Sequence, residues 1–139
     1  MSTSLENALV CIPPRWKARV WPLVADRLRA AFLRTDLGHT EDLEKLVLHG
    51  PGDLWLAMSG ADIEAAMVTR LARTDRNLIC EIVALGGANM DRWLDHLPAI
   101  EAWARREGAA KLRLIGRVGW AALLHDHYKV SNVVLERVF

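Results

Sequence analysis

Hydrophobic positions change their spacing several times along this chain, and each change marks an element. Residues 8–12 form a short apolar run stopped by Pro13 and Pro14, which predicts a first strand. Trp16, Val20, Val24, Leu28 and Phe32 then fall close to a helical period. Pro22 interrupts it, so the helix either kinks there or restarts with Pro22 at its first position. Residues 35–38 break the pattern. Thr40 is the expected cap of a short helix that turns Leu43, Leu46 and Val47 inward and stops at Gly50-Pro51-Gly52.

The middle of the chain switches to period two. From Asp53, residues Leu54, Leu56 and Met58 alternate with Trp55, Ala57 and Ser59. A turn at Gly60-Ala61-Asp62 leads to a second alternating run over 63–73, and a turn at 74–77 leads to a third over 78–85. Three such runs joined by tight turns describe an antiparallel meander. Helical spacing returns over 91–108, where Trp93, Leu94, Leu97, Ile100 and Ala104 face inward, Pro98 predicts a kink and Gly108 is the stop. Residues 111–115 read as a strand that a crossover makes parallel to the third meander strand. A short helix over 118–124 and a final strand over 129–139 complete the pattern. The expected fold is therefore a single α/β (α+β) domain with a mixed sheet, in the order β-α-α-β-β-β-α-β-α-β.

Composition narrows the function classes. At 139 residues, with 52% apolar and 25% charged residues, the chain buries a core without disulfides or metals. Its net charge of +1 comes from interspersed signs, so no basic face points to nucleic acid and no acidic tail is present. No apolar stretch approaches the roughly 20 residues of a membrane span, and the first residues lack a signal-peptide pattern. An intracellular, cytoplasmic protein is expected. Cys11 and Cys80 both lie in apolar runs and read as buried free thiols. Six tryptophans are many for this length; packing accounts for most, while Trp55 and Trp120 sit where it does not obviously demand them, as an interface would.

The element order, with particular residues, resembles the GNAT superfamily, the GCN5-related N-acetyltransferases. Cys80-Glu81-Ile82-Val83-Ala84-Leu85 looks like the family's fourth strand. Residues 103–109, Trp-Ala-Arg-Arg-Glu-Gly-Ala, look like the end of its central helix, and Leu112-Arg113-Leu114 like the strand after it. Residues 116–120 with Tyr128-Lys129 and Leu135-Glu136-Arg137 look closer to small phage-encoded members than to cellular enzymes. The resemblance implies splayed fourth and fifth strands with acetyl-CoA, as co-substrate, in the cleft. Backbone groups of Val83 and Leu85 would meet its pantetheine arm. Gly86, Gly87, Ala88, Asn89 and Met90 would form the pyrophosphate loop, with Arg92 the first basic residue after it. Free amides at a helix start favour such an anion in general. The loop departs from the family pattern: its glycines come early, at Gly86 and Gly87, and Asn89 and Asp91 stand where later glycines belong. Asp91 also suits a helix cap, and its carboxylate would compete with a phosphate for the same amides.

Acetyl transfer to an amine needs a base for the amine proton and an acid for the leaving thiolate. By resemblance Glu81 is the candidate base and Tyr128 the candidate acid. Glu81 shares a strand face with Ile79 and Val83, where burial would raise its pKa; the plainer reading is a paired carboxylate near a sheet edge. Tyr128 read plainly is a packed tyrosine. His125 and His127 flank Asp126, a weak metal signal with no accompanying ligand cluster. Neither a dinucleotide fingerprint, a phosphate-binding Walker pattern nor a Gly-x-Ser-x-Gly elbow occurs. Two functions follow from the resemblance. One is an acetyl-CoA-dependent N-acyltransferase acting on a small or peptide amine. The other is a catalytically inactive binding or structural module of the same fold, with a protein partner or in homo-oligomers, of the kind a phage virion would carry.

Overall fold

The computed structural model describes residues 8–33, 42–88, 90–116, 119–124 and 126–139. Five strands form one mixed sheet in sequence order: β1 (Ala8–Cys11), β2 (Gly52–Ser59), β3 (Asp62–Arg73), β4 (Leu78–Gly87) and β5 (Lys111–Leu114). The first three pairings are antiparallel and β4 with β5 is parallel, as the alternating runs and the crossover predict. Helix α1 (Lys17–Phe32) follows a single 3-10 turn at Pro14–Trp16, and α2 (Leu43–His49) precedes β2. Pro22 neither ends nor restarts α1, which runs through it. Helices α3 (Met90–Leu94) and α4 (Leu97–Arg106) make the crossover, and α5 (Gly119–Leu123) follows β5.

Side chains alternate across the sheet, so each face collects its own core. On one face Trp21, Val24 and Leu28 of α1, with Leu46 and Val47 of α2, pack on Leu54, Leu56, Ala66, Val68 and Ala84. On the other, Trp93 of α3 with Leu97 and Ile100 of α4 packs on Trp55, Met67 and Ile82. Thr69 is a polar side chain with no exposed surface, and its hydroxyl accepts the Trp55 indole N–H at 3.0 Å, which satisfies both groups. Gly86 is dictated by packing: a Cβ there would stand 2.5 Å from the Arg27 carbonyl of α1, so only glycine lets that helix lie against β4.

Several expectations need correction. The cap of α2 is Asp42, whose carboxylate accepts the Glu44 N–H at 2.8 Å; Thr40 lies outside the described residues. The interval over 91–108 is two helices, broken at Asp95 and His96, because Pro98 sits in the first turn of α4, where its missing N–H costs nothing. Trp16 is partly exposed, at 40%, whereas Trp55 is buried edge-on to Trp103 and Trp120 is edge-on to Trp93. Those two tryptophans are explained by packing after all. Cys11 is a free thiol but exposed, since β1 is an edge strand; Cys80 is buried as expected. Finally, residues 129–139 form no strand: they make no ladder with any described strand and are exposed throughout, and an isolated strand has nothing to satisfy its backbone.

Candidate functional site

The sheet opens between its two parallel strands. Ile79, Cys80, Glu81 and Ile82 of β4 pair with Lys111, Leu112, Arg113 and Leu114 of β5, and there β5 ends. β4 continues for five more residues, to Gly87, with no strand beside it on that edge among the described residues. The opening coincides with an irregularity. Val68 and Thr69 of β3 oppose Ala84 and Ile82, leaving Val83 as the extra residue of a β-bulge. The bulge turns the phase of the strand: Val83 and Ala84 both lie on the α1 side, and Leu85 returns to the α4 side. The result is a notch whose one wall is a strand edge with no ladder partner among the described residues. On the α4 side its neighbourhood is apolar, with Leu85, Trp93, Leu94, Leu114 and Trp120 in one cluster.

Beyond the notch the predicted phosphate loop is shorter than expected. Gly86 and Gly87 belong to β4 and pair with Ala66 and Ala65. Gly87 has φ of 149°, and a Cβ on it would meet the Glu64 carbonyl oxygen. The Ala88 N–H is donated to that same carbonyl at 2.9 Å. Glu64 is itself the extra residue where β2 and β3 slip register, since Ala57 and Met58 oppose Ala65 and Ile63. Its carboxylate, mostly buried, holds the Arg92 guanidinium at 2.7 Å while Arg92 stays half exposed. Asn89 lies outside the described residues, and Met90 begins α3. Val83 and Leu85 do line the open edge.

Glu81 and Tyr128 stand on opposite faces of the sheet. Ile82 faces α4, so its neighbour Glu81 faces the α1 side, inside the last paired stretch of β4. There it pairs across the strand with Arg70 at 3.6 Å. Tyr128 follows α5 and packs in the α4-side cluster. Its hydroxyl donates to Glu101 of α4 at 2.5 Å. Burial first, then the bond to Glu101, raise its pKa well above the ordinary tyrosine range, so the phenol is protonated at neutral pH. Glu101 is the residue sequence reasoning missed: a contact spanning 27 positions leaves no local signal. Burial likewise pushes the Cys80 thiol up to about 12, which makes it an inert core residue. Among the described residues no group of three or more His, Cys, Asp or Glu is placed to hold a metal; His125 is outside them. No helix among the described residues is long and apolar enough to cross a membrane.

A mixed sheet with this order, a bulged fourth strand and a parallel neighbour that leaves it midway is the fold of the GNAT-family acetyltransferases. Solved structures agree. A candidate acetyl transferase of Pyrococcus furiosus superposes with a TM-score of 0.67 at 18% identity, over 96% of this chain and 100% of that one. An aminoglycoside acetyltransferase from an uncultured soil metagenomic sample, in complex with sisomicin, gives 0.67 at 10% identity, over 99% and 98%. A GNAT family acetyltransferase of Staphylococcus aureus gives 0.63 at 13% identity, over 96% and 99%. No family model and no curated protein matches the sequence. At these identities what is shared is the fold.

Proposed function

We propose that the chain is an N-acyltransferase of GNAT type that uses acetyl-CoA as co-substrate and transfers the acyl group to an amine. The observation carrying this reading is the free edge of β4 beyond Ile82, where the bulge at Val83 and the end of β5 coincide. A pantetheine arm carries two amides in an extended chain, so it can add to such an edge as a short strand does, around Val83 and Leu85. The apolar cluster of Leu85, Leu114 and Trp120 suits its hydrocarbon portions. At the phosphate end the fit is narrower. Ala88 has already given its N–H, and Arg92 is tied to Glu64, but one nitrogen on a carboxylate leaves a guanidinium with donors to spare. Glu64 would then hold Arg92 in position for a pyrophosphate, with the backbone of Met90 at the start of α3 nearby.

In a direct transfer Glu81 is the base and Tyr128 the acid. The amine approaches from the α1 side, its nitrogen forms the bond to the thioester carbon, and its proton passes to Glu81. The carbon–sulfur bond breaks toward the α4 side, where the thiolate takes a proton from Tyr128. The sisomicin complex of the soil enzyme makes a small polyamine the first acceptor class to assay.

The test is titration with acetyl-CoA, followed by calorimetry and by melting temperature. At 100 times the dissociation constant the ligand adds about 2.7 kcal/mol of stability. No heat and no melting shift at millimolar coenzyme would end the reading and leave a non-catalytic module; association with a phage virion has no observation behind it. If binding is found, Glu81→Gln and Tyr128→Phe should each lower turnover by about 100-fold or more with coenzyme affinity retained.

A further inference from the structure

Across the α1-side face of the sheet runs a row of cross-strand partners that acetyl transfer by itself does not explain. Gly52 of β2 opposes Arg70 of β3, Arg70 opposes Glu81 of β4, and Glu81 lies beside Arg113 of β5. Leu112 and Leu114 belong to the cluster under α4, so Lys111 and Arg113 face the other way, on the same side as Glu81. Neighbouring strands lie about 4.8 Å apart, which puts Glu81 between two arginine positions, with Lys111 two residues along β5.

Arg70 and Glu81 are accounted for by their contact at 3.6 Å. Lys111 and Arg113 are not: among the described residues neither has an ion-pair partner. Of the carboxylates on the helices over this face, Glu44 is held by Arg29 and the Trp21 indole, Asp42 caps α2, and Asp26 is exposed on α1. Arg70, Lys111 and Arg113 therefore surround one carboxylate, and the surplus charge is positive. A lysine on an edge strand is ordinary protection against edge pairing. Arg113 differs, because it is partly buried beside the proposed base and its planar fork fits an oxyanion through two N–H groups.

Resting on the acyltransferase reading, we infer that Arg113 selects the acceptor, and that the acceptor is a small amine carrying an anionic group one or two carbons from its nitrogen, as an amino acid does. The nitrogen meets Glu81 and the oxyanion meets Arg113. Adjacent strands hold the two side chains close enough for one short molecule to reach both. A diamine of the same length brings its second cation to a guanidinium instead, and that like-charge contact rejects it. A polyamine, the class to which the sisomicin of the soil enzyme's complex belongs, is disfavoured here for the same reason.

Initial rates at saturating acetyl-CoA are to be compared for β-alanine, 2-aminoethyl phosphate and 1,2-diaminoethane, with the acetylated product followed by mass spectrometry. The better anionic amine should exceed the diamine about tenfold or more in kcat/KM. β-Alanine ahead identifies the recognised group as a carboxylate, and 2-aminoethyl phosphate ahead identifies a phosphate. Arg113→Gln should bring that ratio to about one, chiefly by raising KM for the anionic amine, and Arg113→Lys should restore part of it. Equal rates, a preference for the diamine, a ratio that survives Arg113→Gln, or bound coenzyme with neither anionic amine acetylated overturns the inference. Each of these leaves coenzyme binding intact, whereas failure of the acetyl-CoA titration ends the acyltransferase reading and the acceptor assignment together. If Arg113→Gln does not fold, the wild-type ratio decides alone.

Discussion

Asp53 illustrates how much a single position depends on context the sequence does not carry. It is the second residue of β2, near Lys17, whose ammonium donates to the Gly52 carbonyl at 2.7 Å. Burial raises its pKa, Lys17 pulls it back and Glu107 pushes it up again, leaving it above the ordinary carboxylate value. A folded-state pKa above the unfolded one means the native state binds the proton more tightly. Stability from this group is therefore greatest below the unfolded value of about 3.9 and falls as pH rises through the folded value. Asp53→Asn should melt roughly 1–2 °C higher at pH 7 in a thermal scan, a small gain because the site is half-open to solvent. The gain should vanish below about pH 4; a constant gain at every pH would assign it to packing instead. Gly86 argues the opposite case. Its glycine was legible in the sequence, but as a phosphate-loop residue, whereas its Cα faces the Arg27 carbonyl. Gly86→Ala must push α1 away from β4, and urea unfolding should show a loss of about 1–3 kcal/mol. A neutral result would mean that α1 shifts freely. Glu81 was legible only as far as its strand: alternation put it on a face with Ile79 and Val83, while its partner Arg70 became visible with the β3 register.

At the scale of elements, periodicity carried the reading and its ends did not. The meander was plain because alternation over Leu54–Met58 and again from Ala65 to Leu71 is long and the intervening turns are short. Gly60 takes φ of 60° at the first turn, and the Thr74 N–H closes the second on the Asn77 carbonyl at 2.7 Å. What alternation cannot show is an extra residue, so neither the bulge at Val83 nor that at Glu64 was foreseeable; each is fixed by pairing across strands. Helix ends failed for a similar reason. Thr40 and Asp42 are both good caps two positions apart, and only the hydrogen bond to the Glu44 N–H decides between them. α2 is short, and its Glu44 ties it to α1 by accepting both the Trp21 indole N–H at 2.7 Å and Arg29 at 3.1 Å. Asp42→Ala should therefore cost about 1 kcal/mol in chemical denaturation. A loss several-fold larger would show that α2 and the α1 contact unravel together.

For the whole molecule, element order was enough to name the fold, because a meander whose last strand starts a parallel crossover admits few arrangements. The same order overreached at 129–139, where the residues have the pattern of a strand but a strand is completed only by its neighbour. The sheet thus has two unequal openings at β5, one inside the molecule and one at its rim. They make different demands on a ligand, and amide exchange separates them. The four residues of β4 from Ile79 to Ile82 already lie between two strands and should exchange slowly in the free protein. Those beyond, from Val83 to Gly87, lack the second neighbour and should exchange faster wherever an N–H points into the notch. If a pantetheine arm adds to that edge, acetyl-CoA should slow exchange there by at least tenfold while leaving the zipped stretch nearly unchanged. Protection appearing instead along β5, with the notch residues untouched, would mean that the coenzyme acts on the rim, and the assignment of the notch as the acyl-donor site would fall even though binding itself was real.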